Sequence, residues 1–284
     1  MKLALFDDYR LGVLRGEEHL VDVSGALPHW DNGYAANFWL RLCHDFDALR
    51  PRLEQAALDG QPVPLSSVRL RAPVLNPSKI LAAASNYGAH KAEMAARGGG
   101  TTASWLQEFD VFLKAPSSIV GPGDTVHLPD VPGREIHHES ELAFVIGRAG
   151  KNVPEERALE HVLGYTILID VTVRGDGDRS RRKSYDGFTP IGPYLVTADE
   201  IGDPHSLRIE LWVNGEKRQD VSSGDMLVRI PAMIAYASRV MTLCPGDVFT
   251  TGSPPGVGKI EDGDTMVTQI ERIGRLTNPV KRGP

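Results

Sequence analysis

The sequence predicts an α+β fold in which β structure dominates, and three observations carry that expectation. The apolar runs at 79–85, 141–147 and 164–170 are short, each the length of a buried strand. A Gly-Asp pair recurs just before an alternating segment, in GPGDTVHL (121–128), CPGDVFTT (244–251) and EDGDTMVT (261–268), as turns that launch strands do. Helical periodicity in the main part is confined to about 87–97, 154–163 and 229–241, the last with Pro231 near its start, where proline is tolerated. Strands that do not alternate regularly with helices argue against a doubly wound parallel sheet.

The first part of the chain reads differently. LALFDDYRLGVLRG and HLVDVSG suggest short strands separated by turns. From Ala36 to about Leu58 the spacing of Phe38, Leu40, Leu42, Phe46 and Leu49 predicts helix, interrupted at Pro51 because proline lacks the amide donor. The four prolines between Asp59 and Pro77 suggest an extended linker, which gives a small N-terminal domain and linker over 1–72 and a main domain over 73–284.

Composition bounds the partners. A formal charge of −6 excludes a surface built for nucleic acid or anionic membrane. Cys43 and Cys244 stand far apart in no Cys-x-x-Cys pattern, which argues against a disulfide framework or thiolate zinc site. The opening MKLALFDDYR meets two aspartates before a signal core can form, and no apolar run approaches membrane-spanning length. A soluble, cytoplasmic protein is expected.

The sharpest chemical feature is Glu139-Ser140-Glu141, entering the apolar run. On a strand, alternation puts both glutamates on one side, where they repel each other unless something positive lies between them. An exposed, charged strand start is the competing reading. Against it stands Asp170, an acid at the end of another apolar run, costly to bury unless paired or metal-bound. Three carboxylates without a thiolate suit Mg²⁺ or Mn²⁺, with Ca²⁺ also admitted. His137 shares strand parity with the glutamates, so a His-Glu-Glu site for zinc or iron is conceivable, but a surface or supporting histidine is preferred. His138 should face the other way, and both are left out of the metal shell.

Other residues are weaker signals. If 87–97 is helical, His90 and Glu93 share a face, and a carboxylate against imidazole makes a candidate general base; a solvated helix face is the alternative. The glycine-rich 98–104 stretch reads as a lid or a plain loop. Arg174 and the run Arg179, Arg181, Arg182, Lys183 follow Asp170 closely enough to bind an acidic substrate, with Lys183 placed nearest the metal. Asp176-Gly-Asp178 lacks the remaining positions of a calcium loop. The compact loop 251–258 offers amides and a hydroxyl that could hold a carboxylate. There is no phosphate loop, dinucleotide fingerprint or Gly-x-Ser-x-Gly elbow.

In order, KILAAASNYGAHKAEM, VFLKAPSSIVGPGDTVHLP, HHESELAFVIGRAGKNV, GYTILIDVTVR, KSYDGFTPIGPYLV, VNGEKRQ and TLCPGDVFTTGSPPGVG resemble the motifs of the fumarylacetoacetate hydrolase family, from about Lys79 to Pro279. The resemblance implies a mixed β-sandwich roll carrying the active site behind a small N-terminal α+β domain, assembled as a homodimer. It implies a divalent cation held by Glu139, Glu141 and Asp170. Lys183 is implied as the group that steadies an enolate oxygen, with His90 and Glu93 as a water-activating dyad. Tyr87, Arg174 and Ser253 are implied substrate contacts, Ser253 standing where the family usually has threonine. Gly175 and Gly177 depart from the family's usual Asp and Gln, and Ile169 from a common Asn. The implied activity is hydrolysis of a carbon–carbon bond in a 1,3-dicarbonyl oxoacid, an acylpyruvate or fumarylacetoacetate-like anion. Decarboxylation, isomerisation or a catalytically inactive binding protein are the alternatives.

Overall fold

The structure, a computed structural model, describes residues 1–28, 37–84, 86–88 and 109–283. Its centre is a twelve-stranded mixed sheet among the described residues. Along the main path the strands run Pro62–Pro64, His19–Asp22, Arg10–Arg15, Lys2–Phe6, Thr189–Thr197, Val162–Ile169, Ser140–Ile146, Val248–Thr250, Ile80–Ala83 and Val111–Lys114. Most neighbours are antiparallel, but Val248–Thr250 and Ile80–Ala83 pair in parallel. A five-stranded sheet packs on it, ordered Glu216–Ser222, Arg208–Val213, Thr265–Ile270, Gly274–Arg282 and Val126–Leu128. A small third sheet joins Thr172–Val173, Ile136–His138 and Gly258–Lys259. The expected β-rich α+β sandwich is what forms.

The two central strands, Ser140–Ile146 and Val162–Ile169, are buried at every position. That is why their sequence is a continuous apolar run rather than an alternation: both faces are covered. Leu142, Phe144, Ile146, Ile167 and Ile169 pack with Ile209, Leu211, Met266 and Leu276 of the second sheet. Phe144 and Phe249, paired in register, stack with centroids 4.8 Å apart. The opposite face, through Ala143, Val145, Leu168 and Val248, meets Phe38, Trp39, Leu42 and Leu53 of the N-terminal helices.

All three Gly-Asp punctuations form the same turn. The glycines 123, 246 and 263 have φ of +76°, +86° and +88°, a region open to glycine at little cost. The aspartate side chain of each accepts the amide three residues back: Gly121 N to Asp124 at 2.8 Å, Cys244 N to Asp247 at 2.7 Å and Glu261 N to Asp264 at 2.7 Å. Strands Val126–Leu128, Val248–Thr250 and Thr265–Ile270 follow.

The helix expected over 36–58 needs one correction. It breaks at Asp45, between Asn37–His44 and Phe46–Asp59, and continues through Pro51. The Asp45 amide ends the first helix on Arg41 O, while its carbonyl starts the second by accepting from Ala48 and Leu49. Pro51 sits early in that helix, so its missing amide leaves only the carbonyl of exposed Asp47 to be satisfied by water. Within the expected linker, Pro62–Pro64 and Leu70–Arg71 are strands, and Lys2–Phe6 pairs with Thr189–Thr197, so the sheet runs across position 72. Of the other expected helices, 154–163 is the 3₁₀ segment Glu155–His161 and 229–241 is Ile230–Val240. Among the described residues no helix is long and apolar enough to cross a membrane.

Candidate active site

The two central strands end side by side at the site. Glu141 continues the row of Ala143 and Val145, and Asp170 that of Leu168, so the face covered by the N-terminal helices turns from apolar to acidic at its end. The Asp170 amide donates to Glu139 O at 2.7 Å, tying the two strand ends together. Glu139, Glu141 and Asp170 are each at most 5% exposed, and one ligand atom from each lies within 4.8 Å of the others.

Among the described residues, Lys183, Lys114 and Arg174 enter this acidic cluster. Lys183 Nζ donates to Glu139 Oε2 at 2.8 Å, Asp170 Oδ2 at 2.7 Å and Thr172 Oγ1 at 2.6 Å. Lys114 Nζ donates to Asp170 Oδ1 at 2.6 Å and to the carbonyls of Lys183 and Phe188 at 2.5 and 3.0 Å. Arg174 Nη2 donates to Glu139 Oε1 at 2.6 Å. Burial alone pushes the Lys183 ammonium down, but Asp170 and Glu139 outweigh it and the net shift is up, which keeps it charged. Lys114 goes the other way: burial dominates the pull of Asp170 and lowers it.

Among the described residues Glu141 has no comparable cation contact. Its Oε2 accepts the Gly252 amide at 2.8 Å and the Thr250 hydroxyl. Burial first, then Asp170 and Glu139, raises its carboxyl well above the usual range. Three buried carboxylates with one held against its like-charged neighbours fit a hard divalent cation, which takes oxygen donors and leaves further positions open. No thiolate or imidazole joins the cluster among the described residues.

The expected residues are brought together unevenly. Glu139, Glu141, Asp170, Lys183 and Arg174 converge. Tyr87 is 1% exposed and feels Glu141: burial, then that carboxylate, raises its phenol. Ser253 is buried beside the site, its hydroxyl donating to Pro254 O at 3.1 Å. The loop 251–258 departs from expectation in its amides. Thr251 N is taken by Leu142 O and Gly252 N by Glu141, so both serve the acid-bearing strand. Of the basic run, Lys183 reaches the acids; Arg182 caps Val173 O and Gly177 O, and Arg179 lies over Phe112. Asp178 caps the short helix Arg179–Arg182 that delivers Lys183. Gly175 and Gly177 have φ of +101° and +109°, so that turn is one glycine favours.

His137 and His138 are both buried, because strand structure begins at Ile136. His137 bonds Glu135 at 2.9 Å instead of lying on the surface, and burial lowers His138 to about 4, so its ring is neutral. His90, Glu93, the rest of the expected 87–97 helix and the 98–104 stretch lie outside the described residues.

Lys114, Thr172, Thr250 and Gln219 were not foreseen. A lysine closing the apolar strand Val111–Lys114, opposite Ile80, was the available signal for the first. Residues 79–281 match the family described as fumarylacetoacetate (FAA) hydrolase C-terminal. A maleylpyruvate hydrolase of Aquipseudomonas alcaligenes is 42% identical, with 99% of each chain covered. The crystal structure of maleylpyruvate hydrolase from Sphingobium sp. SYK-6 in complex with manganese(II) ion and pyruvate superposes with a TM-score of 0.89 at 41% identity, covering 100% of each chain. A 2-hydroxyhepta-2,4-diene-1,7-dioate isomerase from Mycobacterium marinum gives a TM-score of 0.68 at 41% identity, covering 79% of this chain and 82% of its own.

Proposed function

The chain belongs to the fumarylacetoacetate hydrolase family, and from that premise we propose that it hydrolyses a carbon–carbon bond in an acylpyruvate, with maleylpyruvate as the first candidate. The observation that carries the reading is the buried Glu139–Glu141–Asp170 cluster with the Lys183 ammonium seated on two of its members. End-to-end similarity to two maleylpyruvate hydrolases, one with Mn²⁺ and pyruvate bound, supports it.

Glu139, Glu141 and Asp170 hold the cation, Mg²⁺ or Mn²⁺, which when bound supplies electrophilic stabilisation of the substrate's oxygens. Water adds its hydroxide to the carbonyl carbon distal to the oxoacid, and the adjacent carbon–carbon bond breaks. The electron pair moves onto the oxoacid fragment as an enolate, and a proton then gives pyruvate beside the matching carboxylic acid. Lys183, kept charged by Glu139 and Asp170, donates to the oxygen on which that charge develops. His90 and Glu93 take the proton from water. Arg174, Ser253 and Tyr87 orient the anion. The proposed setting is the cytoplasm, as the sequence leads one to expect, and the proposed assembly a homodimer, as the family resemblance implies.

The test is turnover of maleylpyruvate and related 2,4-dioxo acids with and without Mn²⁺, followed by product mass. Two fragments support hydrolysis; released CO₂ or an isomer of unchanged mass overturns it. Isomerisation of a 2-hydroxydienoic acid is the second reading, favoured by the similarity to the isomerase. His90→Ala should lower kcat by about 10²–10⁴-fold while Mn²⁺ titrates the protein as before. Loss of bound metal in that variant contradicts the role given to His90.

A further inference from the structure

We propose that Gln219 is a positioning residue that locks the 253–256 loop onto the strand bearing the metal acids; the proposal rests on the functional reading above, in which Ser253 faces substrate. The strand Glu216–Ser222 is largely exposed, yet Gln219 is 1% exposed. A register shift explains this. Gln219 pairs with Leu211 and Lys217 with Trp212, so Arg218 is bulged out. Bulges re-aim side chains, and here Gln219 turns inward on the side of Leu211.

Its amide then joins three chain segments. The oxygen accepts the amide of Ser140, the residue between Glu139 and Glu141, at 3.0 Å. The nitrogen donates to Pro254 O at 3.0 Å and Pro255 O at 3.2 Å, with Ser253 Oγ at 3.5 Å. Partner chemistry dictates this orientation, because an N–H needs an acceptor and carbonyls need a donor. Two consecutive prolines carry no amide hydrogens, so this stretch cannot supply its own backbone donors. The bulge also docks the loop from behind. A Cβ at Gly256, where φ is +88°, would stand 2.0 Å from Arg218 O. One bulge therefore seats the loop twice, through the Gln219 amide and through the bare α-carbon of Gly256.

Two variants of the full-length protein test this: Gln219→Met, similar in length but without the amide's hydrogen bonds, and Gly256→Ala, which pushes the loop off the bulge. Hydrogen exchange of the 251–258 peptide reads the lock without substrate and should quicken by about tenfold or more in each, the loss of roughly one to two hydrogen bonds' worth of protection. With Mn²⁺ and a substrate the wild type turns over, KM should rise by about tenfold while kcat changes far less. Mn²⁺ affinity in Gly256→Ala should stay at the wild-type value. Unchanged exchange overturns the proposal, as does Mn²⁺ affinity falling in step with KM, which would make Gln219 a support of the metal strand alone. If Gln219→Met does not fold, Gly256→Ala decides the matter by the same readings. A wild type that turns over no oxoacid overturns the functional reading instead, and the exchange measurement still judges the lock.

Discussion

Glu141→Gln should abolish Mn²⁺ binding and turnover together while making the metal-free protein more stable. The surroundings dictate how the new amide sits. Gly252 N and Thr250 Oγ1 both donate to Oε2, so the amide oxygen must take that place. Its NH₂ group replaces the other carboxylate oxygen, putting a donor in a cluster where a cation needs acceptors. Supporting residues around metal sites typically cost 10–100-fold in affinity, and losing a ligand in this manner should exceed about a hundredfold. The same change removes a carboxylate whose ionisation burial and two like charges oppose. Relief of that repulsion should stabilise the metal-free protein by about 1–2 kcal/mol, in the range of site-neutralising substitutions that trade activity for stability. Mn²⁺ titration and thermal unfolding in chelator measure the two halves. Activity retained in metal-free buffer would falsify the assignment of Glu141 as a ligand.

Lys183→Met acts in the opposite sense on stability. Lys183 is 6% exposed and, among the described residues, is the ammonium shared between Glu139 and Asp170. Arg174 and Lys114 would still serve those acids individually, but Glu139 Oε2 and Asp170 Oδ2 would lose the ammonium that bridges them. Breaking a buried pair from one side costs about 3–5 kcal/mol, so denaturant unfolding without metal should show a loss of that order. At saturating Mn²⁺, kcat should fall by about 10²–10³-fold, the usual effect of removing a donor from a developing oxyanion. A variant with near wild-type kcat sinks the enolate role of Lys183, whatever its stability.

How much of this was legible in the sequence depends on how local each signal is. Glu139 and Glu141 declare themselves by alternation along one strand, and Asp170 by ending an apolar run. The three Gly-Asp turns are legible because the amide and the accepting aspartate lie within four residues. Lys114 is different: it stands 56 residues from Asp170, and only the antiparallel pairing with Ile80 places it there. Gln219 is 79 residues from Ser140 and faces inward because of a one-residue bulge that no periodicity announces. Two amides of the 251–258 loop, those of Thr251 and Gly252, are taken for a related reason. Their acceptors, Leu142 O and Glu141, belong to a strand more than a hundred residues earlier. Pro51 shows the reverse error, a local rule applied too strongly where solvent near a helix start softens it.

The sheet that crosses position 72 has a consequence for anyone trimming this enzyme to a minimal catalyst. The strands that present Glu139, Glu141 and Asp170 are covered on one side by Trp39, Leu42 and Leu53, and Lys2–Phe6 continues their sheet through Thr189–Thr197. Excising the first 72 residues would bare Ala143, Val145 and Leu168, on the strands that carry the acidic cluster, and leave Thr189–Thr197 with an open edge along its pairing with Lys2–Phe6. Here the N-terminal segment is not a detachable accessory: a shortened version would need a substitute cover designed for that face.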